Sequence, residues 1–166
     1  MVTPKAEGRV ELDVASDQAA GVVEVLRSAR RIVRILSDEL DPALFDTPAV
    51  SEELSRVARQ GRQCEVRILL KDSHNLSKRT HGIGTLHRRL PSSLRILRPT
   101  LVPEDFSANY VLADDCGVFF MPMEEDKFSF LNLDDRALAK NLALQDRKST
   151  RLNSSHSSVS RMPSSA

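Results

Sequence analysis

Tryptophan is missing from this 166-residue chain, tyrosine occurs once, and aromatic residues make up only 4% of it. Recognition that stacks bases on a platform of rings therefore has little to work with. Cysteine is scarce as well: Cys64 and Cys116 are too few for a disulfide framework or a zinc site. No apolar run approaches the roughly 20 residues needed to span a bilayer. The opening Met1-Val2-Thr3-Pro4-Lys5-Ala6-Glu7 lacks the apolar stretch of a signal peptide. A surplus of either charge is also lacking, with 24 Lys and Arg against 23 Asp and Glu, so no global field draws the protein to nucleic acid or membrane. What is present, 40% hydrophobic residues over a length that suits one core, makes a cytoplasmic α/β domain the expectation.

The composition changes after Asp146. Residues 147–166 hold eight serines, four basic residues and no acidic one, and Leu152, Val159 and Met162 stand isolated. Such a segment buries too little apolar surface to offset its ordering entropy, which predicts disorder. The string from Arg147 to Ala166 resembles translated sequencing-adaptor DNA at the end of a gene fragment, so the natural chain is expected to run on differently after Gln145. Without the tail, 20 basic residues face 23 acidic ones and the net charge is −3. The expected organisation is an N-terminal segment 1–15, an α/β domain 16–146 and the tail 147–166.

Val10, Leu12 and Val14 alternate as in a short strand. Ser16 offers a helix cap before Ala19, Val22, Val23, Leu26 and Ala29 at helical spacing. Arg31 to Leu36 is β-branched and strand-like, and Asp41-Pro42 reads as a turn. Thr47 before Pro48 predicts a helix start, with Val50, Leu54, Val57 and Ala58 as its apolar face and Gly61 at its end. Cys64 to Leu70 predicts a strand, Thr80 to Leu90 a helix stopped by Pro91, and Leu94 to Leu97 a strand. Asn109–Ala113 and Gly117–Met121 flank Asp114-Asp115-Cys116 as a hairpin, Phe128–Leu131 adds an edge strand, and Asp134 caps a last helix carrying Leu138, Leu142 and Leu144. No internal repeat stands out. The alternation predicts a single-domain α/β fold whose mixed sheet is mostly parallel, with an antiparallel hairpin near its C-terminal end.

That order resembles one half of a phospholipase-D-like fold. More closely, it is similar to a bacterial domain of uncharacterised function in that superfamily, which can lie C-terminal to a GNAT-type acetyltransferase domain. The resemblance is carried by Ala29-Arg30-Arg31-Ile32-Val33-Arg34-Ile35-Leu36-Ser37, Leu40-Asp41-Pro42, Arg88-Arg89-Leu90-Pro91-Ser92 and Leu112-Ala113-Asp114-Asp115, over about residues 20–145. Catalytic members of the superfamily carry His-x-Lys-x-x-x-x-Asp, in which the imidazole attacks phosphorus and the lysine holds phosphate oxygens. With Asp114 in the motif's Asp position, Ser107 falls on the His and Asn109 on the Lys; with Asp115 there, Ala108 and Tyr110 fall on them. Neither register supplies an imidazole or an ammonium, and the second motif-bearing half is not in this chain. The expectation is a non-catalytic binding or interaction module, accessory to an acetyltransferase domain, with no catalytic, cofactor or metal residues assigned. A divergent phosphodiesterase is the alternative within the superfamily.

Residues 73–103 hold no acidic side chain but carry Lys78, Arg79, Arg88, Arg89, Arg95 and Arg98 with His74, His81 and His87. A solvated basic face explains such a run. The functional alternative is an anion surface for a phosphate-bearing ligand or nucleic acid, with Arg79, His81, Gly82, Gly84, Arg95 and Arg98 as its candidate residues. Arg79-x-x-Gly82-x-Gly84 also fits the pyrophosphate loop of GNAT acetyltransferases, which keeps an acetyl-CoA-dependent N-acetyltransferase as the other reading, although its strand order differs from the one predicted here. His81 and His87 lie six apart, which is not the spacing of a helical metal pair, and neither cysteine has a neighbouring histidine.

Overall fold

The computed structural model describes residues 9–12, 14–38, 40–71, 81–97, 108–122 and 128–147. In chain order the elements are β1 (Val10–Leu12), α1 (Ala15–Ser28), β2 (Ile32–Ser37), α2 (Pro42–Phe45), α3 (Pro48–Arg59), β3 (Glu65–Leu70), α4 (Gly82–Arg89), β4 (Leu94–Leu97), β5 (Ala108–Ala113), β6 (Gly117–Pro122) and β7 (Ser129–Asn132). A last helix, α5, covers residues 136–147.

The seven strands form one sheet in the order β1-β7-β6-β5-β2-β3-β4. The expectation of a mostly parallel sheet is corrected. Only β2–β3 and β3–β4 are parallel; β2–β5, β5–β6, β6–β7 and β1–β7 are antiparallel. Crossover helices impose parallel pairing on β2, β3 and β4. After β4 the chain returns to the other side of β2, and β5, β6 and β7 then follow as a meander, which is antiparallel by construction. The Phe128–Leu131 segment forms β7, yet it is not an edge, because β1 pairs outside it through Val10↔Leu131 and Leu12↔Ser129.

Strand alternation gives the sheet two apolar faces. Val33, Ile35, Val66, Ile68, Val111 and Phe119 point into the larger core with Val22 and Leu26 of α1, Leu54 and Val57 of α3, and Ile83 of α4. Leu36, Leu69, Tyr110, Leu112 and Val118 point to the opposite face, where Ala139 and Leu142 of α5 cover them. Gly21 lets α1 sit close to the sheet: a Cβ there would come within 2.6 Å of the Leu12 side chain.

Several local expectations hold in detail. The Thr47 hydroxyl accepts the Val50 N–H at 3.2 Å and opens α3, whose buried face is Val50, Leu54, Val57 and Ala58. Others shift. Val14, not Ser16, precedes α1 and offers no side-chain cap. Asp41-Pro42 opens a short helix, with the Asp41 carboxylate accepting the Ala43 N–H at 3.0 Å. Gly61 lies beyond α3 without a left-handed backbone. The α5 cap is Asp135, which accepts from Leu138 N–H, rather than Asp134, and Leu144 is exposed while Ala139 takes the buried position.

Candidate functional site

Between β3 and β5, strand β2 is the point where the sheet changes from parallel to antiparallel. Open α/β sheets hold ligands beyond the carboxyl ends of parallel strands, where the strand order switches. Three polar side chains meet there. Lys71, just past β3, places its Nζ 3.2 Å from Oδ1 of Asp38, just past β2. The Asp38 N–H donates to Oδ1 of Asn109, the second residue of β5, at 3.2 Å. The ion pair is partly open to water, so it adds at most about 1 kcal/mol.

The loop leaving β2 is held tightly. Leu40 has φ 52 and is fully buried. A left-handed conformation costs a leucine about 1–2 kcal/mol, and three contacts hold it. Its side chain lies in the core, its N–H donates to the Ser37 hydroxyl at 2.9 Å, and its carbonyl lies 3.2 Å from Nε2 of the buried His81. Nδ1 of His81 accepts the Ile83 N–H at 3.2 Å, so the ring carries its proton on Nε2 and donates to Leu40.

Asp114 occupies the hairpin turn with φ 56. Its carboxylate leaves that turn and accepts three backbone N–H groups, from Arg30 at 3.0 Å, Arg31 at 2.8 Å and Ile32 at 3.1 Å. The carboxylate thus fixes the connection between α1 and β2.

The structure divides the sequence-derived anion residues. Arg79, Arg98 and Ser107 lie outside the described residues. His81, Gly82 and Gly84 sit at the start of α4, on the side of the larger core. There the Gly82 N–H donates to Oδ1 of Asp46 at 2.8 Å, and a Cβ on Gly82 would meet the Ser51 hydroxyl at 2.7 Å. Arg95 alternates with Leu94 and Ile96, which pack into that core, so its side chain stands on the other face of the sheet. His81, Gly82 and Gly84 form one site and Arg95 belongs elsewhere.

The other face holds a group that the sequence reading passed over. Arg34 of β2 and Arg67 of β3 are register partners, with side chains 12% and 14% exposed. Oδ2 of Asp146, on α5, lies 3.7 Å from Nε of Arg34 and 3.9 Å from Nη1 of Arg67. Burial pushes the Asp146 carboxyl above its ordinary range, with Arg67 and Arg34 pulling it back. Burial likewise lowers the Arg34 guanidinium, against the attraction of Asp146. Tyr110 donates to the Leu142 carbonyl at 3.4 Å, and burial raises its phenol far above the usual value. Cys116, in the hairpin turn, is raised by burial and by Asp115 and Asp114, the opposite of an activated thiolate. Among the described residues no group of three or more His, Cys, Asp or Glu side chains could hold a metal ion, and no helix is long and apolar enough to cross a membrane.

Comparison with known proteins places this architecture. The fold is similar to NucT from Helicobacter pylori, with a TM-score of 0.62 and 18% identity over 86% of this chain and 95% of that one. That likeness is one of fold. It is also similar to TrmBL2, an archaeal chromatin protein whose structure shows a novel mode of DNA binding, with a TM-score of 0.57 and 15% identity over 90% of this chain. The chain spans about half of TrmBL2, 51% of its length. No curated protein matches it in sequence. The model of one family does match, over residues 14–148, and the chain belongs to that family, described as Domain of unknown function (DUF7931).

Proposed function

We propose that this chain is a phospholipase-D-like binding module that does not hydrolyse phosphodiesters and whose ligand carries phosphate. One observation carries the reading. At the position of the motif's lysine stands Asn109, whose side-chain oxygen is bound to the Asp38 N–H. The matching acid, Asp114, is bound to three backbone amides. An amide side chain brings no positive charge to a phosphate, and a carboxylate that accepts three backbone amides is engaged in holding the α1–β2 connection. The phosphate-bearing ligand draws support from the likeness to TrmBL2, whose structure shows a novel mode of DNA binding.

An acetyltransferase domain, linked or associated, is the partner that the sequence resemblance adds to this proposal. The acetyl-CoA reading of Arg79-x-x-Gly82-x-Gly84 requires free amides at a helix start. The Gly82 and Ile83 amides already donate to Asp46 and His81, which supports assigning this chain the accessory role.

The test is turnover of bis-p-nitrophenyl phosphate by the full chain. Release of nitrophenolate at the uncatalysed rate is expected. Release above it that disappears in Asp114→Asn, with the variant still folded by circular dichroism, would restore the phosphodiesterase reading.

A further inference from the structure

The three parallel strands carry nearly the same tetrapeptide: Val33-Arg34-Ile35-Leu36, Val66-Arg67-Ile68-Leu69 and Leu94-Arg95-Ile96-Leu97. The register aligns them residue for residue, pairing Arg34 with Arg67 and Arg67 with Arg95. Alternation places the three guanidinium groups in one row, on the face of Leu36 and Leu69. At about 4.8 Å per strand the row spans roughly 10 Å. Like charges directly opposite one another across strands repel, and arginine cannot shed its proton to relieve the repulsion.

The row is under-compensated among the described residues. Asp146 approaches Arg34 and Arg67 at 3.7 and 3.9 Å, and Glu65 lies two residues before Arg67 on the same face. Arg95, at the outer strand, is exposed and has no ion pair among the described residues. At Arg34 the row opens into a cleft of about 570 Å³ between the start of β2 and α5. Arg31, Arg34, Arg136 and Lys140 line that cleft. Of its acids, Asp114 is bound to three amides, and Asp115 stands beside it.

We propose that this cleft, with the exposed Arg31, Arg136 and Lys140 on its walls and the exposed Arg95 at the outer strand, forms a binding surface for the phosphodiester backbone of a nucleic-acid strand, while the buried Arg34 and Arg67 add positive potential beneath it. The proposal rests on the phosphate-ligand reading above and gives it a ligand class and a place. Cations set along a line suit a chain of phosphates better than one isolated phosphate, and the arginine fork matches phosphate oxygens. Among the described residues no aromatic side chain lines the cleft, so contact is with the backbone and binding is independent of base sequence.

The experiment is fluorescence anisotropy of the full chain with a labelled single-stranded DNA, titrated over a range of salt. Arg95→Gln combined with Lys140→Gln removes two exposed cations that hold no part of the core. The expected loss is roughly tenfold in affinity at low salt, with the slope of log K against log salt reduced by about 1.4 for two lost contacts. The pair Arg59→Gln with Arg62→Gln removes the same charge from exposed positions at the end of α3 and should leave the slope unchanged. Three outcomes overturn the surface: no binding by the unaltered chain at low salt, an equal slope change in the Arg59 and Arg62 pair, or inorganic phosphate competing as well per phosphate as the oligonucleotide. Loss on Arg79→Gln with Arg98→Gln, and none on Arg95→Gln with Lys140→Gln, would move the site to the basic run while leaving the phosphate-ligand reading intact. Cleavage of the labelled strand would instead overturn the non-hydrolytic reading, independently of where the strand binds.

Discussion

The side chain of Asn109 accepts the backbone N–H of Asp38 at 3.2 Å and so ties the start of β5 to the carboxyl end of β2. Asparagine suits that place because its oxygen accepts a hydrogen bond without bringing charge beside the Lys71–Asp38 pair. Asn109 is thus a structural tie between two strands.

That bond predicts the effect of placing a lysine at this position. Asn109→Lys leaves the Asp38 N–H without its acceptor and sets a second ammonium near Lys71, for a loss of about 1–2 kcal/mol. The urea midpoint should fall while phosphodiesterase activity stays at background. Hydrolysis gained by this single change would show that the scaffold is still poised for catalysis.

Asp114 is expected to act on stability rather than turnover. Asp114→Ala removes the acceptor of three amides, two of them reachable by water, and should cost about 2 kcal/mol in urea unfolding. Asp114→Asn keeps one oxygen and should cost about half as much. Asp114→Gly relieves the left-handed backbone at φ 56, so it should fall between the two. If all three unfold at the same urea concentration as the unaltered chain, the carboxylate is not what fixes the α1–β2 connection.

The buried Asp146 sets a pH dependence. Its carboxyl is raised above the ordinary 3.8, chiefly by burial, so the folded chain holds that proton more tightly than the unfolded chain. The stability linked to this group is therefore fully present below 3.8 and is lost as pH rises through the raised value. Asp146→Asn should flatten that part of the curve of stability against pH. Equal slopes in the two proteins would exclude Asp146 as its source.

Much of the local structure was legible because adjacent residues decide it. Thr47-Pro48 opens α3 through a hydroxyl that accepts the Val50 N–H and a ring at the first helical position, and Asp114-Asp115-Cys116 turns the chain between two β-branched and aromatic runs. The sequence points to Asp134 as the cap of α5, but either carboxylate can cap and only the placement of Leu138 selects Asp135. The arginine row was partly readable. The recurring apolar-Arg-Ile-Leu tetrapeptide is visible in the sequence, but its meaning depends on a register that three separate strands settle together.

The sequence by itself determined most of the segments that become helices and strands, because periodicity, caps and residue identity act over a few neighbouring residues. Only the tertiary structure decided that β5 returns beside β2 to make the sheet chiefly antiparallel. It also decided that Asn109 meets Asp38, that Asp114 reaches back to Arg30, and that Arg34, Arg67 and Arg95 share one face. The physical reason is range: these relationships join residues tens of positions apart, and the burial of two sheet faces, rather than any local propensity, brings them together.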